Sequence, residues 1–222
     1  MRLDLSLYLV TDAAHAAAAG HTVPDVVARA VAGGVTTVQV RVKDRGASGF
    51  LELVHAVADR LRSTPHVTLL VNDRVDVAIA AARSGARVDG VHVGQSDLPA
   101  DAARDMLAAA GLPRPVVGVS AATPAQLAAA ERDGADYVGI GAVHPTATKP
   151  DAPAPIGHDG FARLAAVTSV PAVAIGGLGV ADAAPLRAAG ASGIAVVSAV
   201  CAAPDPESAA RALRVAFDEA RS

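Results

Sequence analysis

A (β/α)8 TIM barrel, folded as a single domain over residues 1–222, is the architecture this sequence predicts, and three observations predict it. Eight short β-rich runs recur along the chain, most followed by a polar or glycine-bearing turn and an Ala-rich helical stretch. No linker or shift in composition interrupts the alternation. The 222 residues suffice for one large core of this kind. A doubly wound open sheet competes, but no G-x-G-x-x-G opens a helix after an early strand, and a six-stranded sheet leaves two units unexplained.

The strands are expected at 7–12, 35–41, 68–73, 90–94, 116–120, 137–142, 171–177 and 193–199. The first of these is apolar and precedes a run of alanines, as a leader segment would. It is bracketed by Asp4 and Asp12 and is too short to span a membrane, so it reads as a strand. Helical stretches fall at 48–62, 75–84, 100–110, 124–133, 159–167, 181–189 and 205–221. Thr123-Pro124 and Asp205-Pro206 each put a capping side chain before a proline suited to the first turn. Gly85, Gly134 and Gly190 stand where helices must turn back into strands. The connection 143–158 is long, proline-rich and not helical, as a functional lid would be.

Composition narrows the function. Hydrophobic residues make up 52% of the chain and aromatics 2%, so the core is built from small aliphatic side chains. A net charge of −3 with no basic block excludes a nucleic-acid surface, which needs clustered cations and stacking platforms. Nothing points to a membrane partner. The single cysteine, Cys201, follows an apolar run and reads as a buried structural thiol in a reducing cytoplasm. The uniformly Ala-rich helices leave the oligomeric state open, a homo-oligomer included.

In such a barrel the chemistry sits where strands end. On strand two, Gln39, Arg41 and Lys43 share one face while Val38, Val40 and Val42 take the other, sending an amide and two cations toward the strand's C-terminal end. Other strand ends carry Asn72 and Asp73, Gln95 and Asp97, Ser120, then Thr146, Thr148 and Lys149, then Gly176-Gly177, and Val197-Ser198. The first loop supplies nothing comparable. Asp73 and Asp97 are hard oxygen ligands suited to Mg2+, with helix capping as the competing role for each. The glycines after strand seven, with strand eight, suit a phosphate approached by backbone, which together with the cations suggests two phosphoryl sites.

Among the histidines, His15, His21, His55 and His66 read as surface residues, and His92 as an inward-facing, hydrogen-bonded structural residue. His144 opens the long loop and is expected to line the pocket. No H-x-x-H or H-E-x-x-H occurs, so no transition-metal site is expected.

The series Gln39-Val40-Arg41-Val42-Lys43, Asn72-Asp73-Arg74, Gly90 to Pro99 (GVHVGQSDLP), Gly118-Val119-Ser120, Pro145-Thr146-Ala147-Thr148-Lys149, Ile175-Gly176-Gly177 and Val197-Ser198 closely resembles the thiamine phosphate synthase family, in order and over nearly the whole chain. The resemblance implies joining of a hydroxymethylpyrimidine diphosphate to a thiazole phosphate with release of pyrophosphate, the partners being small phosphorylated molecules. It would set Gln39, Arg41, Lys43, Asn72, Ser120 and Lys149 around the pyrimidine diphosphate, with Arg41, Lys43, Lys149 and Ser120 as the catalytic group. It would give Mg2+ to Asp73 and Asp97, and Thr146, Ala147, Thr148, Gly177, Val197 and Ser198 to the thiazole phosphate. Val42 departs from an acidic residue many relatives carry, and Ala121-Ala122 departs from a Thr or His after the serine; both bear on the pyrimidine pocket. A thiazole tautomerase and a non-catalytic phosphate-ligand binding paralogue are the alternatives, the first needing a placed acid and base.

Overall fold

The computed structural model describes residues 3–43, 46–146 and 154–219. Its elements run β1 (Leu7–Val10), α1 (Ala13–Ala18), α2 (Val23–Ala32), β2 (Thr37–Val40), α3 (Ala47–Arg60), β3 (Thr68–Asn72), α4 (Val75–Arg83) and β4 (Gly90–Val93). They continue with α5 (Ala100–Ala109), β5 (Val116–Ser120), α6 (Pro124–Arg132), β6 (Tyr137–Ile140), α7 (Gly157–Ala165), β7 (Ala172–Ile175), α8 (Val180–Ala188), β8 (Gly193–Val196), α9 (Ser198–Cys201) and α10 (Pro206–Glu219). The strands pair in chain order, all parallel, and β8 returns to β1 with Leu7 opposite Ile194, closing the barrel.

The predicted barrel is therefore present, and the expected caps hold. Thr123 Oγ1 accepts from Gln126 N at 3.3 Å, and Asp205 Oδ1 accepts from Glu207 N at 3.2 Å. Gly85, Gly134 and Gly190 all adopt positive φ. Two helices that the pattern did not single out, α1 and α2, fill the first connection. They start at Asp12, which accepts from Ala14 N and His15 N, and at Thr22, which accepts from Asp25 N. β5 spans 116–120 as predicted, the other strands are shorter than predicted, and the last expected strand ends at Val196, with Ser198 opening the short α9 instead.

Pleating sorts the side chains into two layers. Leu7, Leu9, Val38 and Val40 pack outward against the helices, while Leu5, Tyr8, Val10, Leu70, Tyr137, Val173 and Ala195 fill the barrel interior. The only two tyrosines of the chain both point inward. Gly118 makes room for one of them, because a Cβ there would lie 2.0 Å from Cζ of Tyr137. Among the described residues no helix is long and apolar enough to cross a membrane.

Candidate active site

The strand ends open into one cavity of about 720 Å3 at the C-terminal mouth of the barrel. Gln39, Arg41, Asn72, Asp73, Asp97, Ser120, Thr146, Gly177, Val197 and Ser198 all contribute to its wall. Residues named separately from eight-fold alternation thus meet at one place. Lys43 is exposed and stands outside the wall, in the segment after β2. Ala147, Thr148 and Lys149 lie outside the described residues.

Arg41 is not on a strand. β2 ends at Val40 because the segment after β1 leaves the ladder there: Thr11 N donates to Gln39 O at 2.9 Å, and Arg41 N then donates to the Thr11 side-chain Oγ1 at 3.0 Å. The Arg41 guanidinium lies 3.6 Å from Asp12 Oδ2. The first loop, which appeared empty in the sequence, thus supplies the carboxylate that orients this cation. Burial works to raise the Asp12 carboxyl, but donation from His15 and Ala14 outweighs it and holds the group below the usual range, so it stays charged.

Below the mouth, a chain of hydrogen bonds crosses the barrel interior. Gln39 Nε2 donates to the Tyr8 hydroxyl at 2.5 Å, and the Tyr8 and Tyr137 hydroxyls lie 2.7 Å apart. The Tyr137 hydroxyl is 2.8 Å from Nδ1 of His92, whose Nε2 is 2.9 Å from Ser120 Oγ. An amide N–H can only donate, so the Tyr8 hydroxyl donates to Tyr137, the Tyr137 hydroxyl to Nδ1 of His92, and Nε2–H to Ser120 Oγ. Burial drives both phenols above their ordinary range, which keeps them neutral. Ser120 Oγ is thereby held as an acceptor from His92, leaving its own proton to point elsewhere. His92 is inward and hydrogen-bonded as expected, and it also lines the cavity. Tyr8 and Tyr137 were not nominated; their signal was a tyrosine at an inward position on each of two barrel strands.

Asp73 and Asp97 do not serve as helix caps. The N-cap positions are Arg74 for α4 and Pro99 for α5, and neither makes a side-chain cap bond. Asp73 Oδ2 accepts from Asn72 Nδ2 at 2.6 Å, and Asp97 Oδ2 accepts from Gly94 N at 2.8 Å. Asp73 also holds a left-handed backbone, φ 60°, which is costly for a residue with a Cβ and turns the chain sharply as it leaves β3. Both are hard oxygen donors on the cavity wall, the ligand type that Mg2+ takes.

After β7, Gly177 adopts φ 67°, and a Cβ there would lie 2.8 Å from both His144 Cβ and Pro145 O. The loop bearing Thr146 can therefore lie directly against this backbone. His144 itself is not part of the cavity wall, contrary to expectation. It turns away, to Asp182 and His158.

The sequence profile of the thiamine monophosphate synthase family matches residues 7–200. The chain belongs to that family. It is 45% identical over 212 residues to a thiamine-phosphate synthase of Chloroflexus aurantiacus, covering 96% of this chain and 92% of the relative. It is likewise 45% identical over 219 residues to a thiamine-phosphate synthase of Xanthobacter autotrophicus, covering 98% of each. The solved thiamine phosphate pyrophosphorylase from Pyrococcus furiosus superposes with a TM-score of 0.84 at 32% identity, covering 99% of this chain and 98% of that one. The chain is accordingly an enzyme, a transferase of thiamine biosynthesis.

Proposed function

We propose that the chain joins hydroxymethylpyrimidine diphosphate to thiazole phosphate, releasing pyrophosphate and forming thiamine phosphate. One observation carries the reading: a guanidinium, two carboxylates, a relayed serine and a glycine-rich backbone converge on a cavity of about 720 Å3, within the range of small-molecule sites. The bond from the pyrimidine methylene to the diphosphate oxygen breaks, with the oxygen keeping the electron pair. The thiazole nitrogen lone pair forms the new C–N bond.

No proton moves in that step, so no general base is required. This suits His92, whose two ring nitrogens are both engaged, by Tyr137 and Ser120. A tautomerase would instead need a ring nitrogen open to its ligand. Gln39 and Asn72 would orient the pyrimidine side and Ser120 would present its hydroxyl. Arg41, held by Asp12, would face the developing negative charge of the leaving group, joined by Lys43 at the rim and by Lys149, assigned from its sequence motif. Thr146, Ala147, Thr148, Gly177, Val197 and Ser198 would receive the thiazole phosphate. Asp73 and Asp97 would hold Mg2+, which supplies positive charge against the departing diphosphate when bound. A cytoplasmic location belongs to the same reading and rests on the single thiol, Cys201.

The test is pyrophosphate release with both substrates and with each singly, with Mg2+ and then with chelator. Release that needs both substrates and the metal is expected. Asp73→Asn should raise the Mg2+ requirement by about 10- to 100-fold while leaving the fold intact. Release from the pyrimidine substrate alone, or an unchanged rate in chelator, would refute the coupling reaction or its metal.

A further inference from the structure

His144, His158 and Asp182 stand apart from the cavity wall, and nothing in the proposed reaction uses them. His144 Nε2 lies 2.7 Å from Asp182 Oδ1, and His158 Nε2 lies 2.8 Å from the same oxygen. The three donor atoms are within 4.8 Å of one another, and the two rings meet edge to face with centroids 5.3 Å apart. We propose that these residues form a binding site for a divalent transition ion of the zinc class, which fastens the loop after β6 and the first turn of α7 to the first turn of α8.

The donor chemistry selects the ion. Two imidazoles and one carboxylate suit zinc and its neighbours, whereas Mg2+ seeks an all-oxygen shell, so this site and the Asp73, Asp97 pair would sort the two metals between them. The position of the carboxylate is already set. Asp182 Oδ2 accepts from Gly179 N at 2.8 Å, leaving Oδ1 aimed at both rings. Such a bond to the non-ligating oxygen is the usual second support of a metal carboxylate. Both imidazoles converge on one oxygen rather than sharing the two, and an ion between them would take the place of two N–H···O bonds. Ligand atoms around tetrahedral zinc sit roughly 3.3 Å apart, so each ring would need to retreat by about half an ångström.

The backbone under each ligand is also tied. His144 N donates to Gly176 O at 2.9 Å, Ile156 N to Ala142 O at 2.9 Å, and Gly157 N to Val143 O at 3.0 Å. These bonds hold the segments bearing His144 and His158 side by side before any ion binds, so little ordering cost remains. The imidazoles are 37% and 34% exposed and the carboxylate 14%, which leaves solvent to complete the coordination and lets the ion exchange. Sequence spacing could not reveal the site, because two histidines separated by the whole long connection match no helical or zinc-finger spacing.

The test uses the full chain, stripped with chelator and returned to excess Mg2+, with Co2+ as a spectroscopic probe. One equivalent of Co2+ should bind saturably with the intense visible bands of a four- or five-coordinate site, and Zn2+ should displace it. His158→Ala and Asp182→Asn should each weaken binding by at least about 100-fold, whereas Asp73→Asn should bind Co2+ as the natural chain does. The metal-free melting midpoints show that the variants fold; if one does not, the other decides. Absence of a saturable band in the natural chain, or equal Co2+ affinity in a folded His158→Ala or Asp182→Asn, would overturn the proposal. Neither readout depends on the coupling activity.

Discussion

Replacing Tyr137 with Phe removes one oxygen atom from the centre of the barrel and keeps the ring that fills it. The residue is fully buried, and its hydroxyl joins Tyr8 at 2.7 Å to His92 Nδ1 at 2.8 Å. Tyr8, itself 2% exposed, would keep the Gln39 donor but have no acceptor for its own proton. His92 would keep Ser120 and lose the Tyr137 bond at Nδ1. A buried polar group left without its partner costs about 1–3 kcal/mol, so two such groups, partly relieved by relaxation, should cost about 2–4 kcal/mol. In a chain of this length that lowers the melting midpoint by roughly 4–16 °C. Urea unfolding of the natural chain, Tyr8→Phe, Tyr137→Phe and the double variant measures it. Because both hydroxyls belong to one chain of bonds, the double variant should lose less than the sum of the singles, by about 1 kcal/mol. Strict additivity, or a loss below about 0.5 kcal/mol in Tyr137→Phe, would refute the relay as a coupled unit.

Gly177→Ala should destabilise by about 1–3 kcal/mol, since φ 67° disfavours a side chain and its Cβ would meet His144 Cβ and Pro145 O at 2.8 Å; thermal unfolding checks it, and an unchanged midpoint would contradict the close packing. Burial pushes the Cys201 thiol up to about 12, so it should resist alkylation at pH 8 in the native chain and react at once in denaturant, as mass spectrometry would record. The Asp12 carboxyl is depressed in the folded chain, so its stabilising contribution is complete above the unfolded carboxyl value of 3.8 and is lost as the pH falls through the lower folded value. Asp12→Asn should accordingly be less stable by about 0.5 kcal/mol at neutral pH, with the gap closing below about pH 4, as urea midpoints across pH would record.

Alternation made the barrel legible. Outward Val38 and Val40 and inward Gln39 sit where their spacing placed them, and capping at Thr123 and Asp205 begins the helices that were expected there. Much of the cavity wall was readable for the same reason, since a parallel barrel collects its strand ends at one face and chemistry-bearing residues can be read from those ends alone. Whether Asp73 and Asp97 cap helices was not readable, because a carboxylate before a helix looks the same in either role until the backbone shows where the helix starts. Three further arrangements depend on contacts between distant segments. Tyr8 meets Tyr137 across 129 positions, Arg41 meets Asp12 across the first connection, and Asp182 gathers one histidine from the loop after β6 and one from the first turn of α7. Local periodicity records which way a side chain points but not what stands opposite it. That is set by the register in which the strands close, through packing and hydrogen bonds between residues far apart in the chain.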